Sequence, residues 1–446
     1  MAGFSNMKYN QYFVWQKYRP VILMLLVILL LRIVVAVKWG YPDVNIADAT
    51  SYNGYATAIV QNEDWLTNPD FYGAFRAPFY PIVVAAIYLL CGINNLVAVY
   101  IFHAFISTLT CFFIYKLSRH IFNDKVAFLS LAWSGIYLYY LEYVRMLMAE
   151  TMIFFLVILF FYYFHRYLTY NKGISRYFWL ILVIFAVLIH TDPRYLFYVP
   201  FLVILFVVYR RFWQGVRYYF LFVVLTVLFM VPWTIRNYLA YNSFVLINVR
   251  TLDLRTPQDR DKSIERQLKV NVMNFGIISQ THKDDYPSEE ERIFIKQNMN
   301  PNNRTPQEID AIKKNVYPDS TFLQRKWFQF KEFWRPFRFN YAYRPFPDCR
   351  FVYWSTRHNL ASILLYGLLL PFMVWGIMDL FLKRKKVVWF LLFPLCVQTL
   401  LHVMQWALTR YRNPIDSFII ILASYGMLQI YELTKRKSGN VLQNVQ

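Results

Sequence analysis

The chain has 446 residues, 58% of them hydrophobic, 20% aromatic and only 16% charged, where a soluble protein carries roughly 25% charged residues. That deficit excludes an ordinary water-soluble globule, and the lack of alternation in the apolar runs excludes a β-barrel. The formal net charge of +21 sits in short clusters at the ends of those runs, as the positive-inside rule produces, so it does not call for a nucleic-acid partner.

Residues 20–37, PVILMLLVILLLRIVVAV, carry one interrupting charge, Arg32. They match the roughly 20 apolar residues needed to cross a bilayer core. No small-residue cleavage site follows, so this first span is read as a retained helix. Basic clusters at Lys17/Arg19, Lys116/Arg119/Lys125, Arg166/Lys172/Arg176, Arg210/Arg211/Arg217, 383–386 and 435–437 mark the cytoplasmic side. Alternation between them predicts about ten transmembrane helices. These lie near 20–38, 95–115, 126–141, 150–165, 177–190, 195–209, 218–235, 358–381, 387–404 and 414–432. Residues 77–92 are apolar but would break the alternation if they crossed. They are expected as a half-inserted or juxtamembrane helix in the first outer loop, 39–94, starting at Pro78 and Pro81.

The expected fold is therefore an all-α polytopic membrane protein. A transmembrane module covers 1–238, a larger outer loop or small domain 239–356, and three last helices lie in 357–446. Both termini are expected in the cytoplasm, the bilayer being a bacterial inner (plasma) membrane. The end of the outer segment, KWFQFKEFWRPFRF from Lys326, mixes aromatics with Lys and Arg. It suits an interfacial helix, or equally packing inside a small outer domain. Asn303-Arg304-Thr305 fits a glycosylation triplet of a kind common by chance. Three of the four cysteines, Cys91, Cys111 and Cys396, lie in apolar segments, and with Cys349 they form no disulfide framework or metal spacing. The sequence has no internal repeat, P-loop, dinucleotide glycine pattern or HExxH.

Threading collects polar residues at the outer ends of the helices, where they are costly and hence candidates for function. Asp48, Tyr52 and Ala56, spaced i, i+4, i+8 in ADATSYNGYATAIV, share one face of a helix. A carboxylate there suits a general base or a plain N-cap. Arg76 in GAFRAPFYP is a bidentate phosphate partner or an interfacial anchor. Glu142, Arg145 and Glu150 come at the next outer turn. Glu150 opens a helix and reads as a second catalytic carboxylate or a complement to the helix dipole. His190, Asp192 and Arg194 lie in IHTDPRYLF, around an Asp-Pro turn; one His beside one Asp is poor grounds for a metal. Arg236 follows Pro232-Trp233, and Arg410 and Arg412 sit in TRYRNPID. Singly, each arginine is a snorkelling anchor. Together Arg76, Arg145, Arg194, Arg236, Arg410 and Arg412 form a cationic ring opposite the cytoplasm that suits a phosphate.

These pieces carry a likeness. The acidic first loop with Asp48-Ala49, Tyr52 and Ala56, Arg76-Ala77-Pro78-Phe79-Tyr80-Pro81, Ala149-Glu150, Pro232-Trp233-Thr234-Ile235-Arg236-Asn237 and Arg410-Tyr411-Arg412-Asn413-Pro414 run in order through the chain. In them the chain resembles the GT-C superfamily of integral-membrane glycosyltransferases, in the branch of protein mannosyltransferases and the lipid A aminoarabinose transferase. The resemblance implies a sugar donor carried on a polyprenyl phosphate, inversion at the anomeric carbon, and a glycan, lipid or protein acceptor at the outer face. It places an Asp of the first outer loop near the reaction, Asp48 first and Asp43 second. Tyr52, His190 and Asp192 are expected to line the substrate cavity. No cofactor is certain, and a divalent metal ion is the one left open, because some relatives bind one near this loop. The loop has one Asp before Ala where many relatives have an adjacent acidic pair, and 239–356 matches nothing named, so the acceptor stays open. An O-antigen polymerase or ligase using diphosphate-linked oligosaccharide is the alternative enzyme. A transporter or flippase would need ionisable residues near mid-membrane, whereas Lys38, His103 and Glu142 are near span ends or isolated.

Overall fold

The computed structural model describes residues 2–40, 48–66, 76–170, 173–241, 244–248, 322–336, 360–404 and 409–443. Asp43, Cys349, the triplet at 303–305 and most of the 239–356 segment lie outside them. Among the described residues the secondary structure is helical, with no strand. The first elements are α1 (Ala2–Trp39), α2 (Asp48–Val60), α3 (Phe79–Cys91), α4 (Leu96–Ile121) and α5 (Asp124–Ile136). Then come α6 (Leu138–Glu142), α7 (Glu150–Tyr170), α8 (Arg176–Thr191), α9 (Val199–Tyr209) and α10 (Phe212–Tyr241). The chain closes with α11 (Phe322–Trp334), α12 (Leu369–Leu382), α13 (Val387–Met404), α14 (Thr409–Arg412) and α15 (Asp416–Gln443).

Among the described residues seven helices are long and apolar enough to cross a membrane: Tyr18–Trp39, Leu96–Ile121, Glu150–Tyr170, Phe212–Ala240, Leu360–Leu382, Val387–Met404 and Arg410–Lys435. They fall on seven of the ten expected spans. The other three are shorter. Residues 126–141 are broken by extended backbone at Tyr137 into α5 and α6. Residues 177–209 divide at Asp192 into α8 and a 3-10 turn, Pro193–Tyr198, that leads into α9. Helix α3 has 13 residues, about 20 Å of rise, against a bilayer core near 30 Å. It ends at Gly92, whose φ of 97° reverses the chain and whose N–H donates to the Tyr88 carbonyl, and it packs against α2, as suits a juxtamembrane pair.

Local signals explain where the helices start. The Asn95 side chain accepts from Ala98 N–H at 3.1 Å and opens α4; the Asn123 side chain accepts from Val126 N–H at 3.0 Å and opens α5. Helix α4 packs against α1, α5 and α7. Helix α7 is the most enclosed crossing helix, 78% buried against 17% for α10, so its first residue, Glu150, is delivered to the middle of one end of the bundle. Helices α12 and α15 approach so closely that a Cβ on Gly376 would fall on the Leu422 carbonyl and one on Gly426 on that of Phe372. Small residues provide such close contact in membrane bundles, where no hydrophobic effect drives helices together.

The charge that interrupts the first span is fully buried. Arg32 donates from Nε to Ser107 Oγ at 2.8 Å and from Nη2 to Cys111 Sγ at 3.2 Å. It also donates to the carbonyls of Gly135 and Ser134, both at 3.1 Å. Those carbonyls belong to the last turn of α5, where intrahelical donors run out. Arg32 therefore caps the break between α5 and α6. Arg32→Met should lower stability by roughly 2–4 kcal/mol, since several buried acceptors lose their donor at once. Thermal unfolding in detergent would show this, and a variant as stable as the parent would remove Arg32 from the capping role.

Candidate active site

Asp48 is the first residue of α2, and each of its carboxylate oxygens accepts from a different arginine. Arg76 Nη2 donates to Oδ1 at 2.5 Å and Arg410 Nη2 to Oδ2 at 2.9 Å. The two arginines come from opposite ends of the sequence, so only the tertiary fold makes this bridge. Ser51 fixes its geometry: its Oγ donates to the Asp48 carbonyl at 2.8 Å and accepts from Arg76 Nε at 2.7 Å. The Arg76 guanidinium lies 4.9 Å from the centre of the Tyr52 ring, a cation–π contact. Tyr52 meets Tyr80 edge-on at 4.8 Å, and Tyr80 Oη is 3.1 Å from His103 Nε2. Tyr52 and Ala56 are buried on one face of α2, in the helical register read from the sequence.

Arg410 also stands 3.9 Å from Glu150 Oε1 through its Nε, so it lies between the two carboxylates proposed for chemistry. Beside it, Asp192 is paired with Arg194 in a fork, Nε to Oδ1 at 2.8 Å and Nη2 to Oδ2 at 2.6 Å. Asp192 Oδ1 further accepts the Arg194 backbone N–H, which starts the 3-10 turn. Arg194 and Arg410 flank one ring, Tyr411, at 4.1 and 5.0 Å from its centre.

Tyr411 is held from behind. Its ring stacks on His402 at 4.7 Å, and His402 stacks on Phe333 of α11 at 5.9 Å. Gln398 donates to the Tyr411 carbonyl at 2.7 Å and accepts the Tyr198 hydroxyl at 2.6 Å. Sequence reasoning quoted Tyr411 only as part of a motif and passed over His402, Gln398 and Phe333. The available signal was a Gln and a His four apart on an otherwise apolar helix.

The electrostatics follow from these pairs. Burial works against the Arg76 charge, but Asp48 and Tyr52 outweigh it and hold the guanidinium above its ordinary pKa. Burial pushes the Tyr52 phenol up, beyond what Arg76 pulls back, so Tyr52 stays protonated and is no candidate base. Burial also opposes the Asp192 charge, yet Arg194 holds that carboxyl below its usual range. Asp48, Glu150 and Asp192 against Arg76, Arg194 and Arg410 give a balanced cluster. The cationic ring read from the sequence is thus corrected: most of its arginines are paired with carboxylates, some local and some brought from distant parts of the chain.

Three of the six lie elsewhere. Arg145 pairs with Glu142 at 2.8 Å and donates to the Trp39 carbonyl at 3.2 Å. With Val35 and Leu141 these residues line a small cavity of about 170 Å³ at the end of α1. Arg236 donates to the Trp65 carbonyl at 2.5 Å and lies 5.0 Å from the Trp233 ring centre. Its neighbours tether the chain after α10: Trp233, Thr234 and Asn237 donate to carbonyls of residues 245–247. Arg412 does not fit the donor-phosphate role. It is wholly buried, on the opposite side of α14 from Arg410, with Nε on Asp416 at 3.0 Å and Nη1 on the carbonyls of Phe333 and Arg335. His190 donates Nδ1 to the Ala186 carbonyl of its own helix and makes no pair with Asp192.

Among the described residues no three His, Cys, Asp or Glu side chains gather to hold a metal ion. Asp48 and Glu150 do not fit a resident divalent ion as they stand, because Arg410 occupies the space between them.

Residues 76–235 match the family model for dolichyl-phosphate-mannose-protein mannosyltransferase. The matched stretch opens at Arg76 and contains Glu150, Asp192 and Arg194; Asp48 precedes it and Arg410 follows it. The fold is similar to that of the Archaeoglobus fulgidus oligosaccharyltransferase in the apo form, at TM-score 0.53 and 12% identity over 94% of this chain and 52% of that one. It is similar also to the archaeal oligosaccharyltransferase AglB from the same organism in complex with an inhibitory peptide and a dolichol-phosphate, at 0.54 and 11% over 97% and 52%. ArnT from Cupriavidus metallidurans aligns at TM-score 0.40 and 14% identity over 92% and 78%, too loosely to be used further. This chain spans about half the length of the oligosaccharyltransferases, and at these identities the likeness is one of fold. No curated protein matches it by sequence. The chain is a multi-pass membrane protein with a GT-C-like fold, similar to that of the archaeal oligosaccharyltransferase, and its residues 76–235 match the dolichyl-phosphate-mannose-protein mannosyltransferase model.

Proposed function

We propose that this protein is an inverting glycosyltransferase. It takes a sugar from a polyprenyl-phosphate donor and passes it to a glycan, lipid or protein acceptor at the outer face of a plasma membrane, both termini being cytoplasmic. The observation that carries the reading is the Asp48 carboxylate held between Arg76 and Arg410, with Glu150 on the far side of Arg410. A carboxylate clasped by two guanidiniums is a poor base, and two guanidiniums clasped by a carboxylate are poor phosphate ligands. Donor binding relieves both. The phosphate replaces Asp48 as counter-ion to Arg76 and Arg410, with Arg194 joining across Tyr411, and the Asp48 carboxylate is released toward the acceptor.

In the transfer step the acceptor oxygen attacks the anomeric carbon from the face opposite the phosphate. Its proton passes to Asp48, the bond from carbon to phosphate oxygen breaks, and polyprenyl phosphate leaves with the electron pair. The extra negative charge on the leaving phosphate falls on guanidiniums already in place, the kind of preorganised stabilisation that dominates many enzymes. Glu150 holds Arg410 in position once Asp48 has let go. The polyprenyl tail, lying between helices, supplies binding energy remote from the reacting carbon.

The test is transfer of label from radiolabelled polyprenyl-phosphate sugars to total membrane lipid or polysaccharide by purified protein. Label should move with the parent and fall at least about a hundredfold with Arg410→Ala, which removes a charge-stabilising donor. Absence of transfer from every monophosphate donor by well-folded parent protein would overturn the reading.

A further inference from the structure

A cleft of about 370 Å³ opens between α1 and α4, roughly 30 Å along α1 from Trp39 and hence at the opposite end of the bundle from Asp48. Its walls are Ile22 and Leu25 of α1 and Phe112 of α4, and its mouth holds Tyr18, Lys116 and Arg119. Neither the transfer chemistry nor the cluster around Asp48, Glu150 and Asp192 uses it. The cleft opens sideways: Ile22, Leu23 and Leu26 beside it are exposed, so in a membrane its flank meets acyl chains. Tyr18 is the first residue of the crossing segment, so the mouth stands at headgroup depth.

The charges at the mouth are unequal. Arg119 is satisfied, with Nε on Asp124 at 2.5 Å and Nη1 donating to the Tyr18 hydroxyl at 2.8 Å. Lys116 has no carboxylate partner among the described residues. Among the described residues its ammonium faces the rings of Phe112 and Tyr162, at 5.8 and 5.9 Å. Arg166, on the far side of Tyr162, likewise has an aromatic hydroxyl and rings for partners and no carboxylate among the described residues. An apolar slot open to lipid, ending in an uncompensated ammonium beside two hydrogen-bonding groups, matches one molecule in shape and charge.

We propose that this cleft binds an anionic glycerophospholipid of the cytoplasmic leaflet. One acyl chain lies between α1 and α4 against Ile22, Leu25 and Phe112, and the headgroup phosphate rests on Lys116 with Tyr18 and Arg119 at its edge. The site is separate from the donor site and at the other membrane face, so it stands whether or not the transferase reading does.

Native mass spectrometry of the full, delipidated protein titrated with phosphatidylglycerol or phosphatidylcholine tests it. The parent should hold one phosphatidylglycerol more tightly than any phosphatidylcholine. Lys116→Ala should weaken the phosphatidylglycerol complex about fivefold and leave phosphatidylcholine unchanged, and Lys116→Arg should restore it. Ile22→Trp, which fills the slot from the lipid side without touching a charge, should lower occupancy by both lipids. Equal retention of the two lipids by the parent, or unchanged phosphatidylglycerol binding in both Lys116→Ala and Ile22→Trp, would sink the proposal. So would a polyprenyl phosphate displacing phosphatidylglycerol at equal concentration, which would make this a second donor site.

Discussion

Asp48→Asn is expected to lower turnover by about 10²–10⁴-fold, the contribution of a positioned general base, while donor affinity stays level or rises. In the structure Asp48 is the counter-ion of both Arg76 and Arg410. Asparagine keeps the shape and loses the charge, so a donor phosphate meets two guanidiniums with no internal competitor. Single-turnover transfer together with equilibrium binding of a polyprenyl-phosphate sugar separates the effects. Near-full turnover would end the base assignment. Affinity falling in step with turnover would make Asp48 a positioning residue for the arginines.

Arg412→Met should cost stability and leave the donor affinity of the remaining folded protein unchanged, the reverse of Arg410→Ala. Arg412 and Asp416 are both completely buried and paired at 3.0 Å, and Tyr137 donates to the second Asp416 oxygen at 2.6 Å. The guanidinium lies 3.6 Å from the Tyr366 ring centre and also supplies the carbonyls at the end of α11. Removing one partner of a buried pair strands the other charge, at roughly 3–5 kcal/mol. Arg412→Met with Asp416→Leu should recover much of the loss, because no charge is then left buried. Thermal unfolding of the single and double variants decides the matter. A stable single variant with weakened donor binding would return Arg412 to the phosphate site.

The same pair of arginines shows what sequence spacing hides. Arg410 and Arg412 are two residues apart on one helical turn, so their side chains leave the helix in nearly opposite directions. Of these two expected phosphate ligands, Arg410 enters the cluster and Arg412 turns inward beneath it. Arg145 and Arg236 were grouped with them because alternation puts all helix ends at one level, yet a level is not a site. Arg145 found its acid three residues away at Glu142, and Arg236 a carbonyl at Trp65.

Composition and apolar run length determined that the chain crosses a membrane as helices, since a lipid solvent leaves backbone groups no other partner. They also located seven of the ten expected spans as helices of crossing length, the short α3, and the helical face shared by Asp48, Tyr52 and Ala56, because these are properties of residues near one another in sequence. The tertiary structure alone decided which charges meet. Asp48 and Arg410 are 362 positions apart, Phe333 reaches the Tyr411–His402 stack from outside the crossing helices, and Arg32 caps a helix more than a hundred residues downstream. A charge declares its need for a partner in the sequence, but where helices pack against one another chooses which partner comes within 3 Å, and at that distance in a buried site the pairing overrides every expectation drawn from the residue alone.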